Sequence, residues 1–145
     1  MSREIKFRGM DANGVMRYGQ LSQDSPGRTA YYKTHSQRIC WTTDSGGDAN
    51  IPVSNESLGQ YTGLQSTEYR DGDVVYKDVY EGDVLEWEEY PSKIKHKAKV
   101  YYSEKRCAFE LDTALTNLHC VLDELDGAVI GNVWENPELN KGENI

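Results

Sequence analysis

Three histidines, three cysteines and a run of alternating lysines are the residues whose types and spacing bear on chemistry. Cys107 and His119, brought together across a hairpin, would make a thiol–imidazole pair, the arrangement that activates a cysteine nucleophile. The competing reading is a small buried thiol. That is the expectation, because free cysteine is among the most buried residue types. His35 falls at a turn and His96 on the apolar face of a strand. Ser57 and Ser66 have no base at a readable spacing, and neither a Gly-x-Ser-x-Gly elbow nor a His-Glu-x-x-His helix occurs. No catalytic residue is assigned, and the chain is read as a non-enzyme.

Metal chemistry has equally little to stand on. Cys40, Cys107 and Cys120 are odd in number and lack zinc-ligand spacing. His119 and Cys120, adjacent on a strand, would point to opposite faces. Asp71-Gly72-Asp73 is echoed ten residues later by Glu81-Gly82-Asp83, but neither copy carries the remaining ligands of a calcium loop. The echo reads instead as two strands that each begin after an acidic-Gly turn, with glycine supplying a positive φ. No metal and no cofactor are expected.

Lys93, Lys95, Lys97 and Lys99 alternate along one predicted strand, and Tyr101 follows on the same side. A basic stripe ending in a ring is one way to track a nucleic acid strand. Against that, residues 68–89 hold nine acidic and two basic residues. Their field opposes a polyanion within a Debye length of about 8–10 Å. Nucleic acid binding through this stripe is therefore the second reading. A third has the acidic segment imitating a phosphate strand and occupying a basic site on a host DNA-binding protein.

The elements that position these residues follow from composition and periodicity. The 145 residues carry 16 Lys and Arg against 24 Asp and Glu, a net charge of −8. Mean hydropathy is −0.75, and no membrane span is expected. Leu, Ile, Val and Phe are scarce, while ten Tyr and three Trp supply large rings suited to half-buried strand faces. A mainly β protein with a thin core follows, for which self-association is expected. The charged N-terminus is unlike a signal peptide, and unpaired cysteines fit a reducing host cytoplasm.

Ile5 and Phe7 alternate with charged neighbours, Asn13-Gly14 turns the chain, and residues 15–18 return, predicting a hairpin. Strands are expected at 29–33 and 37–43, then a mobile loop over 44–55. The clearest pattern is Val84 to Glu89 against Lys93 to Tyr101, with residues 90–93 as the loop. Opposed residues then sum to 183: Glu88 faces Lys95, Glu86 faces Lys97, Trp87 faces His96 and Leu85 faces Ala98. One face is an ion-pair ladder and the other apolar, and this agreement fixes the register. Further strands are expected at 107–111, 118–121 and 128–134, with a helical turn at 123–126. The division expected is a β lobe over 1–58, a second lobe over 59–139 and a frayed tail over 140–145. The first lobe carries net +1, seven basic against six acidic residues. The remainder carries −9, nine against eighteen.

Four segments in order carry a resemblance. They are Arg3-Glu4-Ile5-Lys6-Phe7-Arg8, Gln60-Tyr61-Thr62-Gly63-Leu64, Val79-Tyr80-Glu81-Gly82-Asp83-Val84, and Val129-Ile130-Gly131-Asn132-Val133-Trp134-Glu135-Asn136-Pro137-Glu138-Leu139. Together they resemble the YopX family of phages and bacterial prophages. The resemblance implies a mainly β fold with an SH3-like barrel or roll in the C-terminal part, and no assigned activity. Gly9-Met10 departs from that family's small-aromatic pair, and the link over 65–78 is longer than its usual connection. Tyr61, Gly63, Gly82, Asp83, Gly131, Asn132, Asn136 and Pro137 are the matched motif positions. Gly63 suits a positive-φ turn, Gly131 a bulge, and Pro137 an extended exit. Each is an architectural role. The function expected is that of an accessory protein acting through protein–protein contact, with itself and with a host or phage protein.

Overall fold

A computed structural model of the chain describes residues 5–23, 37–42 and 45–140. The strand expected at 29–33, and the tail expected to be frayed apart from its first residue, lie outside them. The chain divides into two compact units, Met1–Tyr61 and Thr62–Ile145. The fold is mainly β, and the strands whose register is described below pair antiparallel. No described helix is long and apolar enough to cross a membrane.

The first unit holds β1 (Phe7–Met10), β2 (Met16–Gln23), β3 (Gln37–Thr42), β4 (Asp48–Val53) and the start of β5 (Gly59–Arg70). The order is β4-β3-β2-β1, with the first residues of β5 beside β1. The hairpin forms where Asn13-Gly14 marks it, with Gly14 at φ +78. Burial here departs from the sequence expectation: Ile5, just before β1, is 56% exposed, Phe7 is half-buried and Arg8 is 3% exposed. A Cβ at Gly9 would lie 2.6 Å from Val53 Cγ2. The backbone of β1 therefore packs closely on β4. The segment expected as a mobile loop contains β4, paired residue by residue with β3 from Gln37↔Val53 to Thr42↔Asp48. Pro52 is tolerated because β4 is an edge strand, where a missing N–H breaks no ladder.

The second unit contains the rest of β5, β6 (Asp73–Tyr80), β7 (Asp83–Glu88), β8 (Lys95–Ser103), β9 (Ala108–Leu111), α1 (Leu118–Asp123) and β10 (Ala128–Asn132). β5 and β6 form a hairpin about Asp71-Gly72, both at positive φ (50° and 84°). A second sheet runs β10-β7-β8-β9, and its order does not close into a barrel among the described residues. The β7–β8 register is the expected one throughout: Glu88↔Lys95, Trp87↔His96, Glu86↔Lys97, Leu85↔Ala98. The turn closes with Glu89 N–H donating to Ile94 O at 2.9 Å, which leaves residues 90–93 as the loop. Lys93 sits in that loop at φ +61, off the strand on which it was expected.

Leu85, Trp87, Ala98, Val100, Leu111 and Val129 build one buried face, completed by Val79 and by Leu118, Val121 and Leu122. The last three belong to a helix where a strand was expected. The reason is local: Asn117 is extended, and its side-chain oxygen accepts the Cys120 amide at 2.9 Å, an N-cap. The i, i+3, i+4 spacing of the three apolar residues then covers the sheet. Only six residues are helical, too few for their period to stand out from a strand's.

Candidate functional site

The residues with reactive side chains are held apart or occupied. Cys107 is exposed, against expectation, in the turn joining β8 to β9, where its φ is +53. A four-residue turn leaves its side chain outside the sheet, and its thiol donates to Glu104 O at 3.5 Å. His119 lies exposed in the first turn of α1. No described hydrogen bond joins the two. The Cys120 thiol lies 3.4 Å from Glu124 Oε2 on its own helix. Ser57 is buried and serves the backbone, accepting Met10 N–H at 2.8 Å and donating to Ser54 O at 2.9 Å. Ser66, also buried, donates across β5–β6 to Lys77 O at 3.5 Å. His96 stacks at 5.7 Å on Trp87 and meets Glu89 Oε2 at 2.8 Å. Among the described residues no three of His, Cys, Asp and Glu converge.

The lysine face keeps its alternation but has acidic columns on both sides. Lys95, Lys97 and Lys99 share a face with Glu88 and Glu86 of β7. Toward β9, Tyr101 is opposite Glu110 and its hydroxyl donates to Glu110 Oε1 at 3.3 Å. Burial, together with the Glu110 charge, raises the Tyr101 phenol above its usual range. Arg106 reaches the other Glu110 oxygen at 3.1 Å. Asp112 accepts the Lys99 amide at 2.6 Å. This face is a checkerboard of both signs.

A groove of about 990 Å³ opens along β9, lined by Tyr101, Arg106, Phe109, Glu110, Asp112 and His119 among others. It is wide enough for a small ligand. However, Arg106 and Glu110 of its lining pair with each other, and among the described residues it shows no nucleophile with an adjacent base.

The matched motif residues form joints of the scaffold. Tyr61 N–H donates to Lys6 O at 2.9 Å, and its ring takes the Lys6 ammonium at 4.7 Å. Gly63 turns at φ +87 inside β5, beside Thr62, whose hydroxyl donates to Val79 O at 2.8 Å. Gly82, at φ +93, sits in the turn just before β7, and buried Asp83 accepts the Tyr80 amide at 2.8 Å. Fifty residues later β10 returns to the same place, with Asn132 opposite Asp83 and Val133 N–H donating to Gly82 O. The β7–β10 register slips between Val129 and Gly131, the bulge that Gly131 announced. Asn132 Oδ1 accepts both Trp134 and Glu135 amides, and its Nδ2 donates to Glu135 Oε1 at 2.8 Å. Pro137 begins a 3-10 turn, Pro137–Asn140, in place of the extended exit expected. Its fixed φ suits a first helical position as well as an extended one.

The surface that motif reasoning passed over is the far end of the β5–β6 hairpin. The first five residues of β6 are exposed whichever way they point, so neither face of the hairpin is covered there. Tyr69 is 69%, Tyr76 64% and Val74 45% exposed. The signal was present in the sequence as rings and β-branched residues flanking Asp71-Gly72.

Comparison with known proteins agrees with this scaffold. A family described as YopX protein matches residues 6–141. No curated protein matches. A crystal structure of protein EF1440 from Enterococcus faecalis is similar, with TM-score 0.51 and 20% identity. The match covers 95% of this chain and 99% of that one. At that identity the likeness speaks to the fold alone.

Proposed function

The chain belongs to the YopX family, and from that premise we propose that it is a phage or prophage accessory protein that works by binding protein, not by catalysis. The observation that carries this reading is the uncovered end of the β5–β6 hairpin, where Tyr69, Val74 and Tyr76 stand in solvent. Two Tyr rings and a Val on one stiff ribbon form the kind of rigid, amphipathic surface that anchors protein interfaces. A scatter of single exposed apolar residues would mean nothing, but a cluster on one element marks a contact site. The reactive side chains, by contrast, are spent on backbone bonds or stand apart. The SH3-like reading of the second unit belongs to this proposal. It is supported by the β7-β8-β9 meander, followed by a short helix and by β10 returning beside β7.

Affinity capture from host cells, compared between the wild type and a Tyr69→Ser/Tyr76→Ser variant of equal thermal midpoint, tests the reading. A protein retained by the first and lost from the second is expected. Equal retention by both, or retention of nothing, overturns it.

A further inference from the structure

We propose that β6 is a self-complementary edge, through which two copies of this chain pair antiparallel about Val75. The proposal deepens the protein-binding reading above and rests on it.

β6 is the terminal strand of its sheet, so one side of its backbone has no strand partner among the described residues. Its outer half reads Asp73-Val74-Val75-Tyr76-Lys77, β-forming and free of proline. An isolated two-stranded ribbon is marginal in water, and an apolar edge of this kind recruits another strand.

The partner's identity follows from hydrogen-bond phase and charge. A two-residue turn at Asp71-Gly72 makes opposed residues of β5 and β6 sum to 143. The Gln65 Nε2 bond to Asp78 Oδ1, 2.9 Å, fits that register. Residues flanking such a turn exchange backbone bonds with each other. Asp73, Val75 and Lys77 therefore turn their backbone groups toward β5, while Val74 and Tyr76 turn theirs outward. Pairing about Val75 places Val74 opposite the partner's Tyr76, the two residues whose N–H and C=O groups point out. Each then exchanges bonds with the other in a narrow pair.

The same register sets Asp73 opposite the partner's Lys77, and by symmetry Lys77 opposite the partner's Asp73. Both are exposed, and they fall at non-hydrogen-bonded positions, where opposed side chains come closest. The neighbouring symmetric registers lose this match. Pairing about Tyr76 sets Lys77 against Val75, and pairing about Lys77 sets lysine against lysine. A second copy of this chain thus carries the charge order that β6 requires. Tyr69, Val74 and Tyr76, which share a face of the ribbon, would merge with the partner's into one aromatic strip.

Light scattering and sedimentation of the full chain, from low to high micromolar, test the proposal. A concentration-dependent dimer is expected. Lys77→Asp faces Asp73 with a like charge at both symmetric positions and should weaken the dimer roughly tenfold. Asp73→Lys combined with Lys77→Asp restores the match and should recover the wild-type constant. Tyr76→Pro removes an outward N–H without touching β5, and should leave a monomer with an unchanged thermal midpoint. A strict monomer overturns the proposal, even if captured host proteins keep the broader reading alive. A dimer indifferent to all three variants places self-association on another surface and overturns it too.

Discussion

Arg17 Nε donates to Asp11 Oδ2 at 2.9 Å, across the hairpin that opens the described chain. The other carboxylate oxygen accepts the amides of Asn13 and Val15 at 2.9 and 3.0 Å. Asp11 is buried, so this one carboxylate organises the whole turn. The Val15 amide foremost, helped by Arg17 and Asn13 and opposed by burial, holds its carboxyl below the ordinary value of 3.8.

A carboxyl lowered by folding stabilises the protein above its unfolded pKa. That contribution is lost as pH falls through the lowered folded value. Asp11→Asn should therefore cost stability at pH 7, by about 1–2 kcal/mol. The cost should shrink toward zero as pH drops below the folded pKa. Urea melts of the two proteins at neutral and acid pH check this. A gap that widens in acid has the opposite sign and would refute the assignment.

Gly131 lies at φ +154, and a Cβ there would strike the Asn136 carboxamide and Leu139. Gly131→Ala should destabilise by about 1–3 kcal/mol, since the turn it meets is pinned by the Asn136 amide on Asn132 O at 2.8 Å. Asn136→Ala alone should also cost stability, because Asn132 N–H loses its acceptor. The double variant should cost less than the sum, because one truncation makes room for the other. A double-mutant cycle by thermal melting reads the coupling, and strict additivity would show that the two never touch.

How much of this was legible depended on whether the pattern was local. The β7–β8 register was read correctly because charge, alternation and turn length all specified one answer, down to Leu85 opposite Ala98. The bulge at Gly131 was legible for the same reason, a glycine inside an apolar strand. β4 was missed because Pro52 and the nearby glycines read as loop, and nothing local says that a strand will sit at a sheet edge. Arg8 is buried and Ile5 exposed because burial along this hairpin is set by what lies across each face, which local alternation does not state. The same limit hid the uncovered hairpin end: a strand's sequence does not state that nothing packs on either face.

Asn117 should repay a single substitution with a clear answer. It caps a helix of only six residues, which has few other means of fixing its start. Asn117→Ala should cost about 1 kcal/mol, and Asn117→Asp close to nothing. Chemical denaturation separates the two. If alanine and aspartate cost the same, the Cys120 amide is not held by this side chain in solution.

The lysine face gives the last prediction, because charge balance and stripe pattern point opposite ways. Lys95, Lys97 and Lys99 would give an oligonucleotide three phosphate contacts if they stood alone. Glu86 and Glu88 lie opposite Lys97 and Lys95, Asp112 holds the Lys99 amide, and Glu110 has already engaged Tyr101 and Arg106. A strand entering this face would meet as many carboxylates as ammonium groups, and counterion release would be small. Fluorescence anisotropy at low salt should show no saturable binding of single- or double-stranded oligonucleotides. Replacing Glu86 and Glu88 by Gln should then create weak, salt-sensitive binding. Saturable binding by the wild type, lost on Lys95→Glu, would instead make this face a nucleic acid site and displace the hairpin as the working surface.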